Sequence, residues 1–235
     1  MTRQEAFDEI NKTQDELIAK RYFESEYYEQ ICKHILLVKF SNLYEKLTKE
    51  KQHNTDNPIG IDLYEPTKKI GIEVTEAHLD NTYNKAIDYG VKNKYYEDSN
   101  YIARPFSMGF RLETKQYDSS IEEQDKFIYD RFIYALENKN NKYDIHYSQF
   151  NADLIIHDLS FTTKLSNIQN FINNIINYIN THEIKFNYIY YLGFSDEYTI
   201  IIQFNSKTNE YQIEHISNLE MDMISNKNKK YIVRK

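Results

Sequence analysis

Four carboxylates fall within one short stretch, "IGIDLYEPTKKIGIEVTEA", residues 59–77: Asp62, Glu65, Glu73 and Glu76, around a central Pro66. Two apolar alternations frame them, and side chains on a strand alternate between faces. On the first segment Ile59, Ile61 and Leu63 share one face, and Gly60, Asp62 and Tyr64 the other. On the second, Ile70, Ile72 and Val74 oppose Gly71, Glu73 and Thr75. A hairpin around "EPTK" with Tyr64 opposite Lys69 sets Asp62 opposite Gly71 and leaves Glu73 diagonal to Asp62, roughly 7–8 Å away along the backbone. Glu65 then belongs to the turn and Glu76 points away. Two carboxylates converging on one face repel each other unless a positive charge lies between them. A hard divalent cation meets that need: magnesium takes one or two carboxylates together with waters and phosphate oxygens. An amphipathic hairpin with a solvated acidic face gives the same pattern.

Several elements must position these acids. Residues 3–53 read as helical, with Cys32, Leu36, Phe40, Leu43 and Leu47 in one apolar stripe. The segment around 49–58 reads as a loop, followed by strands over 59–64 and 69–77. A helix is expected over 81–97, capped by Asp80 or Asn81, and a short strand over 107–112. Another helix covers 120–144, the apolar run "ADLIIHD" suits a buried strand, and a helix follows over 163–181. Three further strands are "NYIYYLGF", "YTIIIQF" and "YQIEHI", before a basic tail. This order gives an α/β single domain over 1–235, with helices on the faces of a central sheet. Its parts are N-terminal helices (1–53), a core (58–160), and a C-terminal helix with strands (161–235).

The 235 residues carry a net charge of −7, which argues against tight non-specific nucleic-acid binding while leaving room for a local basic contact. No apolar run reaches the ~18 residues of a membrane span, and the N-terminus lacks a signal-peptide pattern. The single Cys32 permits no internal disulfide and suits a reducing cytoplasm. Abundant Tyr, Ile, Asn and Lys with no Trp suit an AT-rich genome of a bacterium or its phage.

The run Asp62-Leu63, nine residues, Glu73-Val74-Thr75, set between helices, resembles the PD-(D/E)XK nuclease superfamily with its restriction-endonuclease-like central mixed β-sheet flanked by helices. The resemblance is clearest over 59–77 and extends loosely to about residue 160. It implies a magnesium- or manganese-dependent nuclease acting on nucleic acid, foremost DNA, in restriction or mobile-element defence. Asp62 corresponds to the first acid, and Glu73 to the acid of the half-motif. The resemblance further implies that the Thr75 main-chain carbonyl completes the metal set of Asp62, Glu73 and Thr75. Glu29 corresponds to the glutamate often added from the first helix. Two departures stand out. Pro58 is not adjacent to Asp62, and Thr75 occupies the lysine position without a lysine's charge. Lys85 and Lys92 on the following helix are the first candidates to supply that cation, with Lys139 and Lys142 as further options.

A homodimer or a partner protein is a further expectation. The alternative is a catalytically degenerate protein of this fold, acting as a binding module for protein or nucleic acid. A third reading is an RNA-cleaving toxin. Other constellations are absent from the sequence: no pair among the seven histidines has zincin spacing, and there is no phosphate loop or dinucleotide turn. Cys32 belongs to the core stripe.

Overall fold

The computed structural model describes residues 14–49, 60–77, 96–97, 101–106, 109–114, 120–159, 164–195 and 198–228. The described chain begins with α1 (Gln14–Lys39) and the hairpin of β1 (Leu63–Glu65) and β2 (Ile70–Glu76). β3 (Tyr96–Glu97), β4 (Tyr101–Phe106) and β5 (Gly109–Thr114) follow. α2 (Ile121–Asn141) and α3 (Tyr143–His146) lead to β6 (Asn151–His157), α4 (Ile168–Thr181), β7 (Tyr188–Phe194), β8 (Thr199–Asn205), β9 (Tyr211–Ile216) and α5 (Asn218–Asn228).

The protein is α/β. A six-stranded mixed sheet runs in the order β1-β2-β6-β7-β8-β9, and β3-β4-β5 form a separate antiparallel sheet. Within the large sheet β2, β6 and β7 are parallel, while β1, β8 and β9 join in antiparallel fashion. The central parallel strands β6 and β7 read as near-continuous apolar runs because both of their faces are covered. Leu154 and Ile156 of β6, Ile189 and Tyr191 of β7, and Ile200 and Ile202 of β8 pack with α2 and α4. Ile155, Tyr190, Leu192 and Ile201 pack on the opposite face, with α1 and α5. Among the described residues no helix is long and apolar enough to cross a membrane.

Local signals explain the helix starts. Ser120 and Glu123 form a capping box at α2. Asp125 of α2 accepts hydrogen bonds from the Ser166 and Asn167 amides (2.8 and 2.7 Å) and so seats the start of α4. Ser217 and Glu220 cap α5 reciprocally, Glu220 accepting from the Ser217 amide at 2.9 Å.

Three expectations are corrected. The first long helix ends at Lys39 rather than near residue 53. Tyr44, Leu47 and Thr48 bind to the sheet instead, the Tyr44 hydroxyl donating to Asp153 at 2.6 Å and Thr48 bridging to Tyr64. Tyr96 and Glu97 form a strand rather than the end of a helix. The rest of the expected helix, with Lys85 and Lys92, lies outside the described residues. Finally, the first hairpin strand starts at Leu63, not at residue 59.

Candidate active site

The hairpin register slips by two residues from the expected one. Leu63 pairs with Ile72, Tyr64 with Gly71 and Glu65 with Ile70. The Glu65 carboxylate causes this. Fully buried, it accepts from the Thr67 amide at 2.9 Å and from the Lys46 amide, so Glu65 closes the strand instead of opening the turn. Lys69 then completes the loop in the left-handed region (φ 56). Continuing this register brings Asp62 directly opposite Glu73 rather than diagonal to it. Asp62 precedes the strand at a bend, which also breaks the alternation: Ile61 packs with the α2 cluster, while Leu63 packs with α1.

The face carrying Gly71, Glu73 and Thr75 is not a solvated one. Phe150 and Ile61 crowd against Gly71, where an added Cβ would stand 2.9–3.0 Å from them. Glu73 is 6% exposed. From α2, Lys139 reaches across this covered face and places its Nζ 2.5 Å from Glu73 Oε1. The other oxygen, Oε2, is buried, and the Tyr147 hydroxyl is a hydrogen-bonding neighbour of the carboxylate. Tyr147, which follows α3 and is almost fully buried, stands beside the carboxylate. Burial first, and then the Glu73 charge, push its phenol far above the ordinary tyrosine range.

Asp62 bridges the two sides of the sheet edge. Its Oδ2 accepts from the Val74 amide at 2.8 Å. Burial of the carboxyl, followed by the charges of Glu73 and Glu29, pushes its pKa well above the usual carboxylate range. The Val74 hydrogen bond and the Lys139 ammonium pull the other way. Glu29 arrives from α1 on the opposite face. It is 8% exposed, and its Oε2 lies 2.8 Å from Lys49 Nζ. Asp62 therefore lies in the field of both Glu73 and Glu29, with Lys139 paired to the first and Lys49 to the second.

The expected role of the Thr75 carbonyl is revised. On a strand the N–H and C=O of one residue point to the same edge. The Val74 amide faces Asp62, so the Val74 carbonyl faces that edge too, and the Thr75 carbonyl points to β6, where Thr75 pairs with Ile156. The Thr75 side chain shares the Glu73 face, and Lys139 brings to that face the charge Thr75 lacks. Lys139 was legible only as one option among many lysines. Lys49 and Tyr147 were missed, because nothing in their local spacing ties them to the acids. Lys142 is exposed at the end of α2. Cys32 is fully buried, its thiol raised by burial first and then by Glu29 and Asp62.

The donor set fits a hard divalent cation. Glu73 and Asp62 are two buried carboxylates in each other's field, the donor type that magnesium takes. Among the described residues no group of three or more His, Cys, Asp or Glu side chains is placed to hold a metal ion, so an ion here would rest on the Asp62–Glu73 pair and water. No family model matches the chain, and no curated protein or solved structure matches it.

Proposed function

We propose that the protein is a metal-dependent nuclease of the restriction-endonuclease-like type, hydrolysing phosphodiester bonds in nucleic acid, foremost DNA. The observation that carries this reading is Glu73. Its carboxylate is buried on a covered sheet face in the field of a second acid, Asp62, and two such groups repel unless a positive charge lies between them.

Asp62 and Glu73 would hold a magnesium or manganese ion, with the Val74 carbonyl on the same edge. Such an ion supplies an acidified water and charge neutralisation at the scissile phosphate. Val74 orients Asp62 through its amide. Tyr147 and the α2 cover keep bulk water from the inner side of Glu73. Lys139 holds Glu73 in place, and its ammonium is the charge available to the pentacoordinate phosphorus oxygens, the task that Thr75 cannot perform. Glu29 adds negative charge from α1 and is itself balanced by Lys49.

The test is cleavage of supercoiled plasmid, with a single-stranded RNA in parallel, in magnesium, comparing the protein with Glu73→Ala. Cleavage that disappears in the variant supports the reading, and equal activity in both proteins sinks it. A second reading, a binding module of the same fold, draws on the fact that both site lysines are already engaged by glutamates. That reading expects no divalent-ion binding and no cleavage of either substrate.

A further inference from the structure

Resting on the nuclease reading, we infer that Lys49 is the residue that receives the substrate backbone, contacting a phosphate beside the scissile one. Three observations carry this. The first is placement. The antiparallel bridge of Thr48 to Tyr64, with main-chain hydrogen bonds of 2.9 and 2.8 Å, extends the sheet edge by one more segment. In that register Lys49 comes beside Leu63, the residue after Asp62. The segment is also anchored from below, by the Lys46 amide on Glu65 and the Tyr44 hydroxyl on Asp153. Lysines in ordinary surface pairs do not need a backbone pinned at three points.

The second observation is exposure. The Lys139 side chain is 25% exposed and its partner Glu73 8%. The Lys49 side chain is 42% exposed over a Glu29 that is 10% exposed. Lys49 is thus the more exposed of the two cations paired with site acids. The third is charge. Glu26, at 4.0 Å, joins Glu29 and Asp62 in holding the Lys49 ammonium protonated against the opposing effect of its burial. A lysine surrounded by three acids keeps its charge, yet its ion pair is open to water and exchanges readily for a phosphate oxygen. On a chain of net charge −7, such a local cation matters more than it would on a basic protein.

The experiment measures binding of a fluorescein-labelled DNA duplex in calcium, by anisotropy, across salt concentrations, for the protein, Lys49→Gln and Lys49→Arg. Each neutralised phosphate contributes about −0.9 to the slope of log K against log salt. Lys49→Gln should therefore weaken binding at low salt and flatten the slope by about one, so that a fourfold rise in salt costs it about 3.5-fold less affinity than the parent. Lys49→Arg should restore the slope. Melting temperatures of all three should agree, which excludes a folding effect. If the parent binds and Lys49→Gln keeps its slope, the role of Lys49 is overturned and the nuclease reading stands. If the parent binds neither this duplex nor a labelled RNA, both fall.

Discussion

Replacing Lys139 with Met should separate stability, metal affinity and catalysis at one position. Methionine keeps the packing of the stem between α2 and β2 and removes only the charge. Removing one partner of a buried ion pair costs about 3–5 kcal/mol when both ions are dry. Glu73 is nearly so, but a quarter of the Lys139 side chain reaches water, so about 2 kcal/mol is the expected loss. For a chain of this size that lowers the melting midpoint by about 4–8 °C. Glu73→Gln should cost less, about 1 kcal/mol, because the freed ammonium can swing to solvent. The double variant should fall short of the sum by at least about 1 kcal/mol, well beyond the 0.3–0.5 kcal/mol scatter of independent sites. Thermal and guanidinium melts of the four proteins give this cycle directly. The functional half is opposite in sign. Manganese should bind Lys139→Met more tightly, because no ammonium competes for Glu73, while plasmid cleavage should drop by about 100-fold or more. Additive stabilities together with undiminished cleavage would refute the assignment of Lys139 as the working cation.

Three further outcomes follow from the fold. Asp153 is buried, and that burial, only partly offset by hydrogen bonds from Tyr44 and the Tyr188 amide, raises its carboxyl to about 7. The folded chain therefore holds a proton that the unfolded chain releases above about pH 4, so stability from this group is present below that pH and is lost as the pH rises through 7. Asp153→Asn should flatten the fall of the urea midpoint between pH 4.5 and 7.5, by up to about 1.4 kcal/mol per pH unit. Arg131 and Asp158 form a buried ion pair between α2 and the end of β6, with the guanidinium 4.5 Å from the Phe127 ring centroid. Arg131→Met should cost about 3–5 kcal/mol in denaturant melts, and the pair Arg131→Met with Asp158→Leu distinctly less, since no lone charge remains buried. Gly71→Ala drives a methyl into Phe150 and Ile61, and should lower stability by about 1–3 kcal/mol in the same assay.

The legible parts of the chain are those governed by local periodicity. Strands β6 to β8 show as apolar runs, β9 as an alternation, and α2 and α4 as amphipathic stretches, because burial on one or both faces writes itself into neighbouring residues. Alternation within Ile70–Glu76 survives a two-residue slip of register, which keeps Glu73 on the face of Gly71, whereas the bend at Asp62 breaks it on the other strand. The slip itself was not legible, because it depends on where the Glu65 carboxylate finds its amides, one of them on Lys46. The end of α1 was hidden too: the stripe continues through Leu43 and Leu47, and only the anchoring of Tyr44 and Thr48 to the sheet overrides it. β4 was missed because it contains Pro105, and α5 because its Ser217–Glu220 capping box sits beside a polar, weakly patterned run. The site cations were the hardest part. Lys139 lies 66 residues from Glu73 in the chain and meets it only because α2 crosses that face of the sheet.

The nuclease reading requires that Asp62 and Glu73 hold a divalent ion on the covered edge of the sheet. Calorimetric titration of manganese into the protein and into Asp62→Asn tests it most directly. The expected result is saturable binding by the parent that is lost in Asp62→Asn, with both proteins equally folded. Absence of binding by the parent at millimolar manganese, or equal binding by the two, would contradict it.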